Sequence, residues 1–321
     1  MAITFNKKID KYEYFESSID NEYYFISNCV VLIDKNKNII SESNINHSPL
    51  NNKIYDSLKK YVDSINLDNI EYNYIENVIY IQHWFSTYGH FKDEIFNLCN
   101  FYHLLNNPNY KILMSYEKSP NINYSVDNYD LIKDFLFEPN ILFNTTQLKH
   151  KITKIKKLIL IKHNLSSDMF HMFPKYSINK VLSKIDNKNT NNNNNNNNIF
   201  VTRGKALHMP RNLDNQEEIE KYFLSIGYDV INPELMNILT FINNIKNANN
   251  IYITWGGAMV NLCYVNPKAN IYLLQSLSYL DENIFKIFKF LRNYENLYLI
   301  KCDNNNKIDL KKAVPIKINY K

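Results

Sequence analysis

From Ile199 onward the chain alternates strand-length apolar runs with helix-length amphipathic ones, and no other feature of its 321 residues restricts the fold as much. NIFVT reads as a strand and leads into a helix over NQEEIEKYFLSI. Asp214 opens that helix, with Glu217 three residues later in capping-box spacing, and Gly227 closes it as a C′ glycine. YDVI, NIYIT, ANIYLLQ and NLYLIK read as further strands. PELMNILTFINNIKNA, GAMVNLCY and residues 281–292 read as the helices between them. Strands joined by single helices form right-handed βαβ units, so a parallel sheet covered on both faces is expected.

The earlier part of the chain mixes strands and helices less regularly. FISNCVVLID, a KNKN turn and IISES read as a hairpin. NVIYIQ, KILMSY and KLILI read as buried strands, and His90–Leu105, YDLIKDFLF and PKYSINKVLSKID as helices, the last with Pro174 suited to a first turn. NKNTNNNNNNNN, residues 187–198, has no apolar face and is expected to be a solvated loop. No internal repeat is read along the chain. A chain of this length is expected to form two domains. These are an N-terminal α/β domain over 1–150 and a C-terminal Rossmann-like domain over 151–321 that contains the Asn-rich loop.

Composition narrows the function classes. Hydrophobic residues make up 45% of the chain, enough for sizeable cores. The net charge is +5, but 37 Lys and Arg are scattered among 32 Asp and Glu, unlike the one-sided basic surface of a nucleic-acid binder. The dense basic run Lys149–Lys157 reads as a solvated connector, with a phosphate or acidic-glycan contact as the alternative. Cys29, Cys99, Cys263 and Cys302 form no CxxC pair, which points to reduced thiols, a cytoplasmic compartment and no zinc site. No segment has the length of a membrane span, nor the N-terminus the apolar core of a signal peptide. No metal is expected, since neither HExxH nor a DxD triplet occurs.

Three blocks carry candidate chemistry. Only five glycines occur, where average usage of about 7% would give several times more, so each marks a sharp turn or a close approach to a ligand. In ITWGGAMVNL a buried strand runs into Gly256 and Gly257 and then a helix, the arrangement in which amides and a helix dipole meet a phosphate or sugar; the alternative is a tight turn that merely packs. In FVTRGKALHMPRNL, Arg203 and Arg211 stand out in a chain that uses Lys nearly everywhere else, and guanidinium groups suit phosphate or carboxylate; an interdomain salt bridge is the alternative. In QHWFSTYGHFKDEIF, His90 and Glu94 lie four apart on one helix face, a spacing suited to general-base work or to gripping hydroxyls.

Taken in this order and spacing, the blocks resemble the family 61 glycosyltransferases, which include bacterial capsular-polysaccharide proteins and eukaryotic GlcNAc- and xylosyltransferases. YGHFKDE matches at His90 and Glu94; VTR and PRNLDNQEEIEKYFLSIGYDVINPE match at Arg203, Arg211, Asn215, Gly227, Pro233 and Glu234; GGAMVN matches at Gly257, Ala258 and Asn261. Gly256 stands where the family often has His, and the acid that commonly ends the following strand is absent, Gln275 being the nearest polar residue. The resemblance implies a GT-B-like α/β fold, two Rossmann-like domains with parallel sheets facing a central cleft. It implies an inverting, metal-independent hexosyl- or pentosyltransferase acting from a nucleotide sugar, a UDP-sugar, onto a glycan or glycoprotein hydroxyl. His90 and Glu94 would be catalytic, and Arg203, Arg211, Gly256, Gly257, Ala258 and Asn261 would bind the donor. The alternatives are a catalytically decayed glycan- or partner-binding protein of the same fold and a GT-B-like sugar-nucleotide epimerase.

Overall fold

The computed structural model of the chain describes residues 4–18, 21–27, 31–40, 52–82, 88–115, 126–138, 142–144, 149–162, 173–188, 197–203, 213–276 and 289–318. Two compact units emerge. One comprises Met1–Ser86, Asn97–Asn121 and Phe137–Asp168; the other comprises Thr87–Phe96, Ile122–Leu136 and Met169–Lys321.

In chain order the earlier elements are β1 (Lys7–Ile9), β2 (Tyr12–Glu16), β3 (Tyr23–Ile26), β4 (Val31–Asp34), α1 (Asn52–Ser64), β5 (Asn73–Gln82), α2 (Tyr88–Leu105), β6 (Lys111–Ser115), α3 (Val126–Leu136), β7 (Leu142–Asn144) and β8 (Ile152–Ile161). The eight strands form the first unit's sheet, and it is mixed, not parallel as expected. β8, β5, β6 and β7 run parallel, whereas β2 and β3 pair antiparallel with the two halves of β8. FISNCVVLID is not one strand: β3 and β4 pair with each other across it, and Ile39 adds only a bridge to Ile33. The turn after β4 forms without glycine. Asp34 Oδ1 accepts from the amides of Asn36 and Asn38, both at 2.8 Å, and Lys37 takes a φ of 60°.

The basic run is likewise no connector. It is the body of β8, whose Ile152, Ile155 and Leu158–Leu160 are buried while Lys154, Lys156 and Lys157 reach carboxylates of Glu22, Glu76 and Glu16. On one face Phe25, Val78, Leu113 and Leu160 share a core cluster; on the other Tyr24, Ile33 and Ile152 pack with Leu58, Val62 and Ile65, which recur at helical spacing along α1 and just past its end.

The second unit continues with α4 (Lys175–Lys188), β9 (Asn198–Val201), α5 (Gln216–Ser225), β10 (Asp229–Ile231), α6 (Ile238–Ile245), β11 (Asn250–Thr254), β12 (Asn270–Gln275), β13 (Asn296–Lys301) and β14 (Ile316–Lys317). Its sheet runs β10-β9-β11-β12-β13-β14, the first five strands parallel and β14 antiparallel. Counted from β9, the parallel strands stand in the order 2-1-3-4-5, a doubly wound order in which the chain reverses direction between β9 and β11.

A short repeat missed in the sequence lies inside this sheet. NIFV, NIYI, NIYL and NLYL open β9, β11, β12 and β13, and they stand in register. Asn250 donates to Asn198 and Asn270 to Asn250, each at 2.8 Å. Two residues on, Tyr252, Tyr272 and Tyr298 stack, with ring centroids 4.2 and 4.9 Å apart. Phe223 of α5 covers this row, stacked on Phe200 at 4.5 Å, a contact worth roughly 0.5–1.5 kcal/mol beyond its buried area.

Local expectations hold unevenly here. Gly227 has φ 82° just past α5; its amide and that of Tyr228 donate to Leu224 and Phe223 carbonyls, and the Tyr228 and Phe223 rings touch. This is a Schellman ending. The capping box does not form. Asn215 is the N-cap and makes no side-chain cap bond, because its amide is taken by the backbone of Ile308, while Asp214 accepts from Asn306. The helix read over 233–248 splits into a 3₁₀ turn, Pro233–Leu235, and α6, each with its own asparagine cap. Residues 257–264 are 3₁₀, not α. The Asn tract gives two residues to α4 and one to β9; 189–196 lie outside the described residues, as do 281–288 of the last predicted helix.

Candidate functional site

In an open α/β sheet ligands settle beyond the carboxyl ends of the strands where the strand order reverses. Here those ends are Thr202-Arg203 after β9 and Trp255-Gly256-Gly257 after β11, and they meet. The Arg203 guanidinium donates through Nη1 to the Trp255 carbonyl at 3.2 Å. A methyl group on Gly256 would lie 3.7 Å from the same guanidinium. Thr202 is buried, receives a bond from Gln216 Nε2 at 2.7 Å and donates to Glu220. Both partners sit on α5, so the residue before Arg203 is fixed and the guanidinium is oriented in advance. Glu234, beyond the end of β10, feels Arg203 as well: desolvation raises its pKa and the guanidinium opposes that rise.

The glycines part company. Among the described glycines only Gly227 has a backbone that disfavours a side chain. Gly256 is extended, with φ 166°, and Gly257 is exposed with nothing described within 4 Å of a Cβ placed on it. Packing within the described part of the unit therefore demands neither. Gly89 lies in the first turn of α2; Gly204 lies outside the described residues.

The 3₁₀ segment Gly257–Tyr264 makes its first bond from the Met259 amide to the Gly256 carbonyl, 3.1 Å, so the turn itself leaves the amides of Gly257 and Ala258 unused. Its far end is held by Tyr294, whose hydroxyl donates to the carbonyls of Leu262 and Val265 and whose pKa burial raises well above the usual value. Its middle is held by a residue the sequence reading passed over. Lys92 of α2 is fully buried and donates to the Val260 carbonyl (2.9 Å), Asn261 Oδ1 (3.1 Å) and Cys263 Sγ (3.2 Å). Its ammonium lies 3.9 Å from the centre of the Tyr264 ring, with Phe173 and Phe96 next nearest, an aromatic cage for a cation. The signal was present: Lys92, Ile95, Phe96 and Cys99 follow i, i+3, i+4, i+7, so this lysine occupies a core position of the helix.

Of the predicted site residues, Arg203 bonds to the Trp255 carbonyl beside Gly256, and Asn261 is buried against Lys92 of the YGHFKDE block. Ala258 is half-buried in the first turn of the 3₁₀ segment. His90 and Glu94 are placed on α2, but their side chains lie outside the described residues, as does Arg211 altogether. Among the described residues no three His, Cys, Asp or Glu side chains come together as a metal ion would need, and no helix is long and apolar enough to cross a membrane.

These blocks are what the chain shares with known proteins. The sequence pattern of glycosyltransferase 61 matches residues 88–272, from the first residue of α2 into β12. The chain belongs to that family. It is a glycosyltransferase, an enzyme that moves a sugar from a donor onto an acceptor. No curated protein matches the chain.

Proposed function

We propose that the enzyme transfers a sugar from a UDP-sugar to a glycan or glycoprotein hydroxyl, with inversion and without a metal, and that its two units are the lobes of a GT-B architecture. One observation carries the donor assignment. Three blocks distant in sequence converge within the second unit, Arg203 bonding to Trp255 and Lys92 to Val260 and Asn261 across 168 and 169 residues. Arg203 and Arg211 take the diphosphate, whose charge grows as the bond to the sugar breaks; preset donors aimed at such charge are the strongest single aid to transfer. The amides of Gly257 and Ala258 add donors at the same place, and Asn261 holds the turn that presents them. His90 or Glu94 takes the proton of the acceptor hydroxyl as its oxygen attacks the anomeric carbon. The bonding pair of the old glycosidic bond leaves with the diphosphate. We place the enzyme in the cytoplasm, in keeping with the free thiol of Cys302.

Arg203→Ala tests the reading. Turnover of UDP-sugar should fall by about 10²–10³ with the thermal transition retained, and wild-type turnover should persist in excess chelator. An unchanged rate removes Arg203 from the mechanism. A chelator-abolished activity restored by Mn²⁺ or Mg²⁺ overturns the metal-free scheme.

A further inference from the structure

The row of rings on the second unit's sheet changes chemistry where its helical cover ends. On β9 the row holds Phe200, buried and stacked on Phe223 of α5. On β11, β12 and β13 it holds Tyr252, Tyr272 and Tyr298, all half-buried. Phenylalanine would stack there as well, so the stack does not account for the three hydroxyls. Among the described residues none of these hydroxyls bonds to protein.

A second polar row runs beside the first. Each ring follows an asparagine by two residues, so asparagine and ring share one face of the sheet. Asn198, Asn250, Asn270 and Asn296 stand level and half-buried. Asn250 and Asn270 each spend one amide proton on the neighbouring asparagine and keep a second. Tyr228, just ahead of β10, sets its ring edge-on to Tyr252 at 5.7 Å. Burial raises the pKa of Tyr252, Tyr272 and Tyr228, and the nearby phenols add to the rise. Neither row contains a charged side chain on β9, β11, β12 or β13, so the face is neutral, and its phenols repeat at about the strand spacing of 4.8 Å.

We infer that this face is a second sugar site, binding a neutral oligosaccharide away from the place of transfer. An apolar partner would strip water from the phenols and amides and return no bonds. An ionic ligand would meet no opposite charge in either row. A chain of sugars fits both: it is uncharged, and its hydroxyls donate and accept along a line as the phenols do. The family's chemistry handles sugars, so such chains are at hand. Mutual stacking fixes the rings before a ligand arrives, and less order is then lost on binding. The rows occupy the first three residues of each strand, whereas Arg203 and Trp255 follow the carboxyl ends of β9 and β11. The site is therefore separate from the donor reading and stands without it.

The test is calorimetric binding of cellohexaose, maltohexaose, xylohexaose and chitohexaose, with a hyaluronan hexasaccharide as the charged control. Wild type is compared with Tyr272→Phe and with the triple variant Tyr252→Phe, Tyr272→Phe, Tyr298→Phe, since Phe keeps the stack and removes only the hydroxyl. Wild type should bind at least one neutral hexasaccharide, and hyaluronan no better. Tyr272→Phe should weaken that binding about 2- to 10-fold and the triple variant more than about 10-fold, with melting and UDP binding as in wild type. If the triple variant melts early, Tyr272→Phe alone decides. Wild type that binds none of the neutral chains, or variants that bind them unchanged, overturn the inference. So does tighter binding of hyaluronan, which marks a charged site elsewhere. Self-association of wild type that the triple variant abolishes overturns it too, and assigns the face to a second copy. Wild type that binds a neutral chain here but no UDP overturns the donor reading and supports this one.

Discussion

Glu16 and Gln275 each end a strand, one in each unit, and their surroundings are opposites. The Glu16 carboxylate receives Lys7, Lys157 at 2.7 Å and the Tyr110 hydroxyl at 2.8 Å. Among the described residues, nothing bonds to the Gln275 amide. The contrast extends to the units. Among the described residues, Gln216, Thr254, Gln275 and Ser276 hold buried polar atoms without partners, and all four belong to the second unit. Among the described residues of the first unit, no buried side-chain nitrogen or oxygen is without a partner. The second leaves some open near the strand ends where a ligand is expected, and local inconsistency of that kind is how functional sites differ from scaffold.

Lys92 can break this contrast, being a buried polar group of the second unit that is engaged on several sides. Lys92→Ala strips a charged donor from the Val260 carbonyl and from Asn261, and hollows the cage of Phe96, Phe173 and Tyr264. We expect a loss of about 3–5 kcal/mol in guanidinium unfolding. A loss below about 1 kcal/mol would mean that the 3₁₀ segment is held without it, and the convergence of the α2 and GGAMVN blocks would lose its support.

The glycines sharpen the same distinction at smaller cost. Gly227→Ala forces a side chain onto φ 82° and should cost about 1–2 kcal/mol, with donor affinity unchanged. Gly257→Ala meets open space and should leave the melting temperature within a degree or so of wild type, while weakening UDP-sugar binding. If Gly257→Ala leaves that binding untouched, close approach of the ligand to this backbone is wrong.

How far the sequence announced these features depends on what each was up against. The strands from Ile199 onward were readable because each is a dense apolar run between polar breaks. Their register was not, since the NIYI-like openings at Asn198, Asn250, Asn270 and Asn296 recur at unequal intervals and show no fixed period. The capping box at Asp214 failed to tertiary competition: Asn306 claims the acid, and the Ile308 backbone claims Asn215. Local spacing cannot separate a 3₁₀ from an α-helical turn over eight residues, so GAMVNLCY was read as the commoner form. Arg203 and Gly256 stood out because the chain rarely uses either residue type. Lys92 had no such contrast, as one lysine among many, and only its place on the core stripe of α2 betrayed it. Gln275 was visible in the sequence only as the polar residue nearest the place of a missing acid; that its amide is buried without a partner among the described residues needed the structure.

The first unit's own version of the comparison is a matter of pH. Burial raises the Glu16 pKa, but bonds from Lys157, Lys7 and Tyr110 outweigh it and hold the carboxyl at about 2, below its ordinary 4.5. Between these values the unfolded chain binds the extra proton and the folded chain does not, so stability rises with pH across that window. The contribution is complete above about pH 4.5 and is lost as pH falls toward about 2. Glu16→Gln removes it. Melting curves of variant and wild type should separate at neutral pH and converge in strong acid. The gap should be smaller than the losses expected for Lys92→Ala and Gly227→Ala, because Lys7 is largely exposed and solvent screens such pairs. An offset that stayed constant from pH 2 to pH 7 would assign the loss to packing around the strand end. Glu16 would then no longer stand as the charged, self-satisfied counterpart of Gln275.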